Sequence, residues 1–171
     1  DFKLSGVELE GKAKERYAQI SEQMAMTSQK FALNALDATD QWTYHTDDAD
    51  EVTGIPEQAL AAASALAEGK GWTFTLKMPS YLPVMQYAKN QALRERLYKA
   101  YATIASEQGD AKFDNSENIE TILKLRNEMA QLLDFKDFAT MQLEKRMADS
   151  PTEVIDFIRD LASKAKPFAQ K

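Results

Sequence analysis

Residues 10–40 hold no proline, and no glycine after Gly11. That stretch constrains the fold more than any other. Apolar side chains recur there at Ala13, Tyr17, Ile20, Met24, Phe31 and Ala35, with Thr27 or Ser28 bridging the longest gap. This spacing puts them on one stripe of an α-helix. Thirty-odd residues of helix span roughly 45 Å, more than a typical globular helix. The stretch therefore predicts an elongated, layered assembly of helices.

The rest of the pattern is mainly α with one β ribbon. Residues 41–46 read as a short strand, and 72–78 alternate Trp72, Phe74, Leu76 and Met78 with Thr73, Thr75 and Lys77. Strict alternation is the signature of a half-buried strand, and two such strands predict a ribbon backed by helices. Either a parallel or an antiparallel pairing fits the connection between them, which holds an Ala-rich helix opened by Pro56 and stopped by Gly69 and Gly71. Further helices are expected at 80–89, 91–108, 115–133, 135–146 and 151–166. Ser150, Pro151 and Glu153 form the clearest helix start: a capping serine, a first-turn proline and a glutamate three residues on. The whole of 1–171 reads as one helical framework region of a larger chain.

Composition narrows the function. The 171 residues carry a net charge of −6, and their mixture of 44% apolar and 28% charged residues fits a folded globular region. An acidic chain with scattered basic residues does not release counterions from a phosphate backbone, so no nucleic acid is expected as a partner. The absence of cysteine removes disulfides, thiolate catalysis, zinc ribbons and iron–sulfur clusters. The longest apolar stretch, 59–67, is too short to span a bilayer, and no membrane partner is expected. Residues 1–5 carry no secretory signal and no initiator Met, which suggests an internal piece of a cytoplasmic protein.

Few residues suggest chemistry. His45 is the one histidine; without a nucleophile elbow, a solvated or hydrogen-bonded structural role is expected of it. Asp47, Asp48, Asp50 and Glu51 could suggest calcium, but an EF-hand counted from Asp48 places Thr53 where glycine is needed and Ala59 where glutamate is needed. A solvated turn is the expected reading. Gly69-Lys70-Gly71 lacks the spacing of a phosphate loop. Tyr81, Tyr87, Tyr98 and Tyr101 could line a peptide groove; helix packing with hydroxyls at the surface is the expected role. No catalytic, cofactor-binding or metal-binding residue is assigned.

Three segments carry a family resemblance: residues 31–39; the Pro79-Ser80-Tyr81-Leu82-Pro83-Val84-Met85 run with its sequel Arg94-Glu95-Arg96-Leu97-Tyr98; and residues 122–135 with Lys145-Arg146 ahead of Ser150-Pro151. In order and spacing they resemble the N-terminal half of the thimet-oligopeptidase family of zinc metallopeptidases. The resemblance implies a cytoplasmic parent enzyme that hydrolyses short peptides. In that chemistry zinc-bound water attacks the scissile carbonyl and a glutamate acts as general base. It also implies that this region is a helical wall restricting substrate access. The H-E-x-x-H zinc motif does not occur here, so no catalytic or metal residue carries over, and zinc belongs to the parent rather than to this stretch. Partners are then the remainder of the parent chain with its catalytic domain, and short peptides. The other reading is a stand-alone helical interaction module with no enzymatic activity. Apolar residues around the 151–166 helix exceed one stripe, so the isolated chain is expected to self-associate or to show a loosely ordered end near Lys171.

Overall fold

A computed structural model describes residues 3–170. In chain order the α-helices are α1 (Gly11–Gln41), α2 (Glu57–Leu66), α3 (Met78–Tyr87), α4 (Gln91–Ala102), α5 (Ser116–Leu132), α6 (Phe138–Leu143) and α7 (Pro151–Ala169). Two strands, β1 (Thr43–Thr46) and β2 (Trp72–Thr75), form the one sheet among the described residues. The fold is mainly α with a small β ribbon, as the periodicities predict. The chain divides into two compact units: Ser28–Ile119, and the described residues up to Thr27 together with those from Glu120 on.

The Ser28–Ile119 unit holds the larger core. β1 and β2 pair antiparallel, with Tyr44 opposite Phe74 and His45 opposite Thr73, which settles the direction left open by the sequence. Phe74 and Leu76 meet Val52, Ile55, Ala63, Tyr81, Val84, Ala88, Leu93 and Leu97 in a contiguous buried cluster. Two glycines make the connections possible. Gly71 has φ +71°, and a Cβ there would run into the Thr46 carbonyl and Asp47; Gly54, at φ +93°, has the Tyr87 carbonyl where a Cβ would stand. Asn115, almost fully buried, binds this unit's helices by hydrogen bonds. Its Oδ1 accepts from Asn34 at 3.0 Å and from Asn118 at 2.8 Å, while its Nδ2 donates to the Phe31 carbonyl at 3.0 Å. Every polar atom of that buried side chain is thus satisfied, as burial demands.

The other unit is thinner. Ala130, Leu133 and Met141 are buried, with Leu4, Leu9, Tyr17, Met129, Phe135 and Phe138 packed around them. Arg16 grips Glu128 with two hydrogen bonds of 2.6 and 2.7 Å, and Tyr17 donates to the Leu4 carbonyl at 2.9 Å. Helix α7 contributes no buried residue at all. Ile155, Phe157, Ile158 and Leu161 are all exposed, Phe157 at 67%. The expected wide apolar face is therefore present and uncovered within this unit.

Several boundaries differ from expectation for local reasons. Gln41 is the last residue of α1, so β1 starts at Thr43 rather than 41. β2 stops at Thr75 instead of 78. The Thr75 hydroxyl accepts from the Lys77 N–H at 3.3 Å and the Thr75 N–H donates to Ser80 at 3.0 Å, which turns the chain into α3. Consequently α3 starts at Met78, with Pro79 in its first turn where a missing N–H is harmless. α4 ends at Ala102, not 108, because Thr103–Gly109 forms consecutive tight turns: Ser106 N–H to the Thr103 carbonyl at 3.3 Å and Gly109 N–H to the Ser106 carbonyl at 2.9 Å. α6 is confined to Phe138–Leu143, starting where the Asp137 carboxylate accepts from the Thr140 N–H at 2.8 Å. α7 runs through Pro167 to Ala169. A proline so near the helix end deletes one backbone bond and leaves only a short tail to redirect.

Candidate functional site

His45 sits on the exposed side of β1. Its Nδ1 lies 3.1 Å from the Thr73 hydroxyl and its Nε2 lies 3.3 Å from Asp47 Oδ1. Both ring nitrogens thus have partners at the exposed face of the ribbon. The acidic residues that follow are spread along a turn rather than converging. The Asp48 carboxylate accepts from the Asp50 N–H at 2.9 Å, and Glu51 accepts from the Tyr44 hydroxyl at 2.9 Å. Burial, followed by the bond to Glu51, holds the Tyr44 phenol above its ordinary pKa. Among the described residues no three His, Cys, Asp or Glu side chains are arranged to hold a metal ion. The donor set present does not fit zinc. Nor is any helix among the described residues long and apolar enough to cross a membrane.

The tyrosines separate into roles. Tyr81 is buried in the core and stacks on Tyr101 with ring centroids 4.5 Å apart. Burial pushes the Tyr81 phenol up, and the neighbouring Tyr101 and Tyr98 add to the effect. Tyr87 and Tyr98 are exposed. Tyr81 and Tyr101 thus pack helices together, as expected.

A substantial concavity in the Ser28–Ile119 unit was not foreseen. A cleft of about 700 Å³ is lined by Ala38, Gln41, Trp42 and Thr43 at the end of α1 and the start of β1, by Leu76, by Lys99 and Ala100 of α4, and by Thr103, Ile104, Ala105, Gln108, Asp110 and Phe113 beyond it. Its volume falls within the range usual for ligand pockets. The wall after α4 exists because that helix stops early. Ala105 turns the chain at φ +49°, and its carbonyl is held by the Asn115 N–H at 3.0 Å. Read as one helix, 91–108 hides this wall. The only sequence signal for it is Thr103 followed six residues later by Gly109. Gly109 passes so close to the Thr103 carbonyl that a Cβ there would approach it to 2.6 Å.

The cleft's charged rim is occupied internally. Lys99 pairs with Glu95 at 2.6 Å, and the Asp110 carboxylate accepts from the Lys112 N–H at 2.9 Å. Lys112 Nζ in turn donates to Gln41 Oε1 at 2.9 Å.

Comparison with known proteins places this architecture. Residues 84–171 match the sequence profile of peptidase family M3. Over its full length the chain is 48% identical to oligopeptidase A of Escherichia coli and 46% identical to oligopeptidase A of Haemophilus influenzae, covering 26% of each. Over 91% of its length it is 38% identical to the organellar (chloroplastic/mitochondrial) oligopeptidase A of Arabidopsis thaliana, covering 21% of that protein. The chain spans about a quarter of the length of these relatives. The matched profile runs from α3 to α7 and takes in more than half of the chain: the protein belongs to peptidase family M3.

Proposed function

We propose that this chain is a non-catalytic helical segment of a zinc-dependent endo-oligopeptidase that hydrolyses short peptides. In this reading it forms part of the wall that restricts access of larger substrates. The observation that carries the reading is full-length identity near one half to bacterial oligopeptidase A in a chain whose described residues offer no metal-ligand set. The chemistry of zinc and of a general base is assigned to residues outside this stretch, so no step of it runs through His45 or the acidic turn. The uncovered apolar face of α7 supports the remainder of the parent chain, with its catalytic domain, as the partner of this segment. A cytoplasmic location is proposed as part of the same reading.

A quenched-fluorescent peptide assay with metal analysis after dialysis tests this reading. The 171-residue chain should release no product and hold far less than one zinc per molecule. Turnover abolished by a chelator, or stoichiometric zinc, would contradict it. The same assay on the parent protein should show chelator-sensitive cleavage of short peptides and none of folded proteins. A parent that binds peptides without cleaving them would instead favour an interaction module.

A further inference from the structure

We propose that the exposed face of α7 pairs with the same face of a second copy of this chain, the two helices running antiparallel. The functional reading above gives that face to the remainder of the parent chain. This proposal goes beyond it, concerns the 171-residue chain and does not depend on peptidase activity. Val154, Ile158, Leu161 and Ala165 recur at steps of four, three and four residues. That is the spacing of a seam between two helices wound around each other. Ile155 and Phe157 widen the face, and Ile155, Phe157, Ile158 and Leu161 are all exposed.

Two gradients along the helix, one of charge and one of size, select a second copy laid in reverse. Residues 151–158 carry Glu153 and Asp156 and no basic side chain; residues 161–169 carry Lys164 and Lys166 and no acidic one. Arg159 and Asp160 between them cancel. The ion pairs within the helix, Arg159 with Asp156 and Lys164 with Asp160, are exposed on both partners and so hold little. Antiparallel pairing lays the acidic end of each copy on the basic end of the other, at both ends at once. Parallel pairing lays like on like. Size follows the same direction: Val154, Ile155, Phe157 and Ile158 fill the first half of the face, and Ala162 and Ala165 the second. In the register centred between Arg159 and Asp160, Ile158 meets Leu161 of the second copy and Phe157 meets Ala162 of the second copy. Large side chains then lie against small ones along the contact, as close packing requires. A face that supplies both halves of its own complement is the isologous contact of a two-fold dimer.

Light scattering on the 171-residue chain should show a monomer–dimer equilibrium that weakens as salt rises. Lys164→Glu with Lys166→Glu leaves α7 acidic at both ends, and Glu153→Lys with Asp156→Lys leaves it basic at both ends. Each double variant should dimerise about tenfold more weakly, and a one-to-one mixture of the two should regain the affinity. Mixing does not rescue a misfolded helix, so lost charge is separated from lost fold. Phe157→Ser should weaken the dimer by about tenfold, while Leu36→Ser, at an exposed apolar residue of α1, should leave it unchanged. The chain has no cysteine, so a single spin label can be placed at Thr152→Cys. Two such labels lie roughly 20 Å apart along the axis of an antiparallel dimer and side by side in a parallel one. A strict monomer, double variants that dimerise as tightly as the unaltered chain, labels side by side, or association lost with Leu36→Ser rather than Phe157→Ser overturns the proposal. A parent that cleaves no peptide would defeat the functional reading and leave this result standing. A cleaving parent whose 171-residue chain stays monomeric would do the reverse.

Discussion

Asn90 and Ser150 cap α4 and α7 with the same bond. Asn90 Oδ1 accepts from the Leu93 N–H at 3.0 Å, and Ser150 Oγ accepts from the Glu153 N–H at 3.2 Å. Both helices are amphipathic, and both carry ion pairs four residues apart, Lys99 with Glu95 and Lys164 with Asp160. Yet Leu93 and Leu97 are buried in a ten-residue core, while α7 buries nothing. Local chemistry therefore fixes where a helix begins, and a separate supply of apolar surface decides whether it is held. In the Ser28–Ile119 unit that supply is internal; for α7 it is not.

The sharpest way to break this contrast is to truncate one apolar residue in each helix. Leu97→Ala should cost about 2–5 kcal/mol in urea unfolding, because a buried cavity is left behind. Leu161→Ala should change stability by about 0.5 kcal/mol or less, since its side chain is 56% exposed. Equal costs would mean that α7 has a cover.

Next in size is Asn115→Leu. It takes the acceptor from the amides of Asn34 and Asn118 and the second bond from the Phe31 carbonyl, which keeps its place in the α1 ladder, and should cost about 1–3 kcal/mol in the same measurement. The caps give a paired test on a smaller scale. Asn90→Ala should lower global stability by about 1 kcal/mol. Ser150→Ala, with the same local loss, should loosen the first turn of α7 in hydrogen exchange and leave the global transition unmoved.

The smallest effect concerns pH. The hydrogen bonds from Arg16 hold the Glu128 carboxylate below its ordinary pKa, against some desolvation that raises it. A carboxylate with a depressed folded pKa stabilises above its unfolded value and loses that contribution as pH falls through the folded one. The pair is half exposed, so its contribution is small and screened by salt. Glu128→Gln should flatten the acid limb of stability below the ordinary carboxylate range, more visibly at low salt. An unchanged acid limb would remove the pair from the account.

The sequence and the fold agree most where the signal is local. The Ser150-Pro151-Glu153 start, the long proline-free α1 and the alternation through Trp72 and Phe74 are each read from a few neighbouring residues, and each appears. The ends were harder. β2 stops at Thr75 because Ser80, five residues on, takes its N–H, and α4 stops at Ala102 where the chain enters the turns of Thr103–Gly109, pinned by Asn115 at the Ala105 carbonyl. Such partners are distant or irregular, and periodicity does not register them. The cleft follows from the second of these endings and was hidden with it. The exposed side of His45 and the stacking of Tyr81 on Tyr101 follow from strand alternation and helical spacing, which a sequence does register.

The claim that α7 lacks cover within its own unit is tested most directly by hydrogen exchange on residues 91–102 and 151–169, across a concentration series followed by light scattering. In the dilute, monomeric chain the α4 amides should exchange only through global unfolding. Those of α7 should exchange far faster and gain protection as concentration rises and copies associate. A strict monomer in which α7 is as protected as α4 at every concentration would contradict the account.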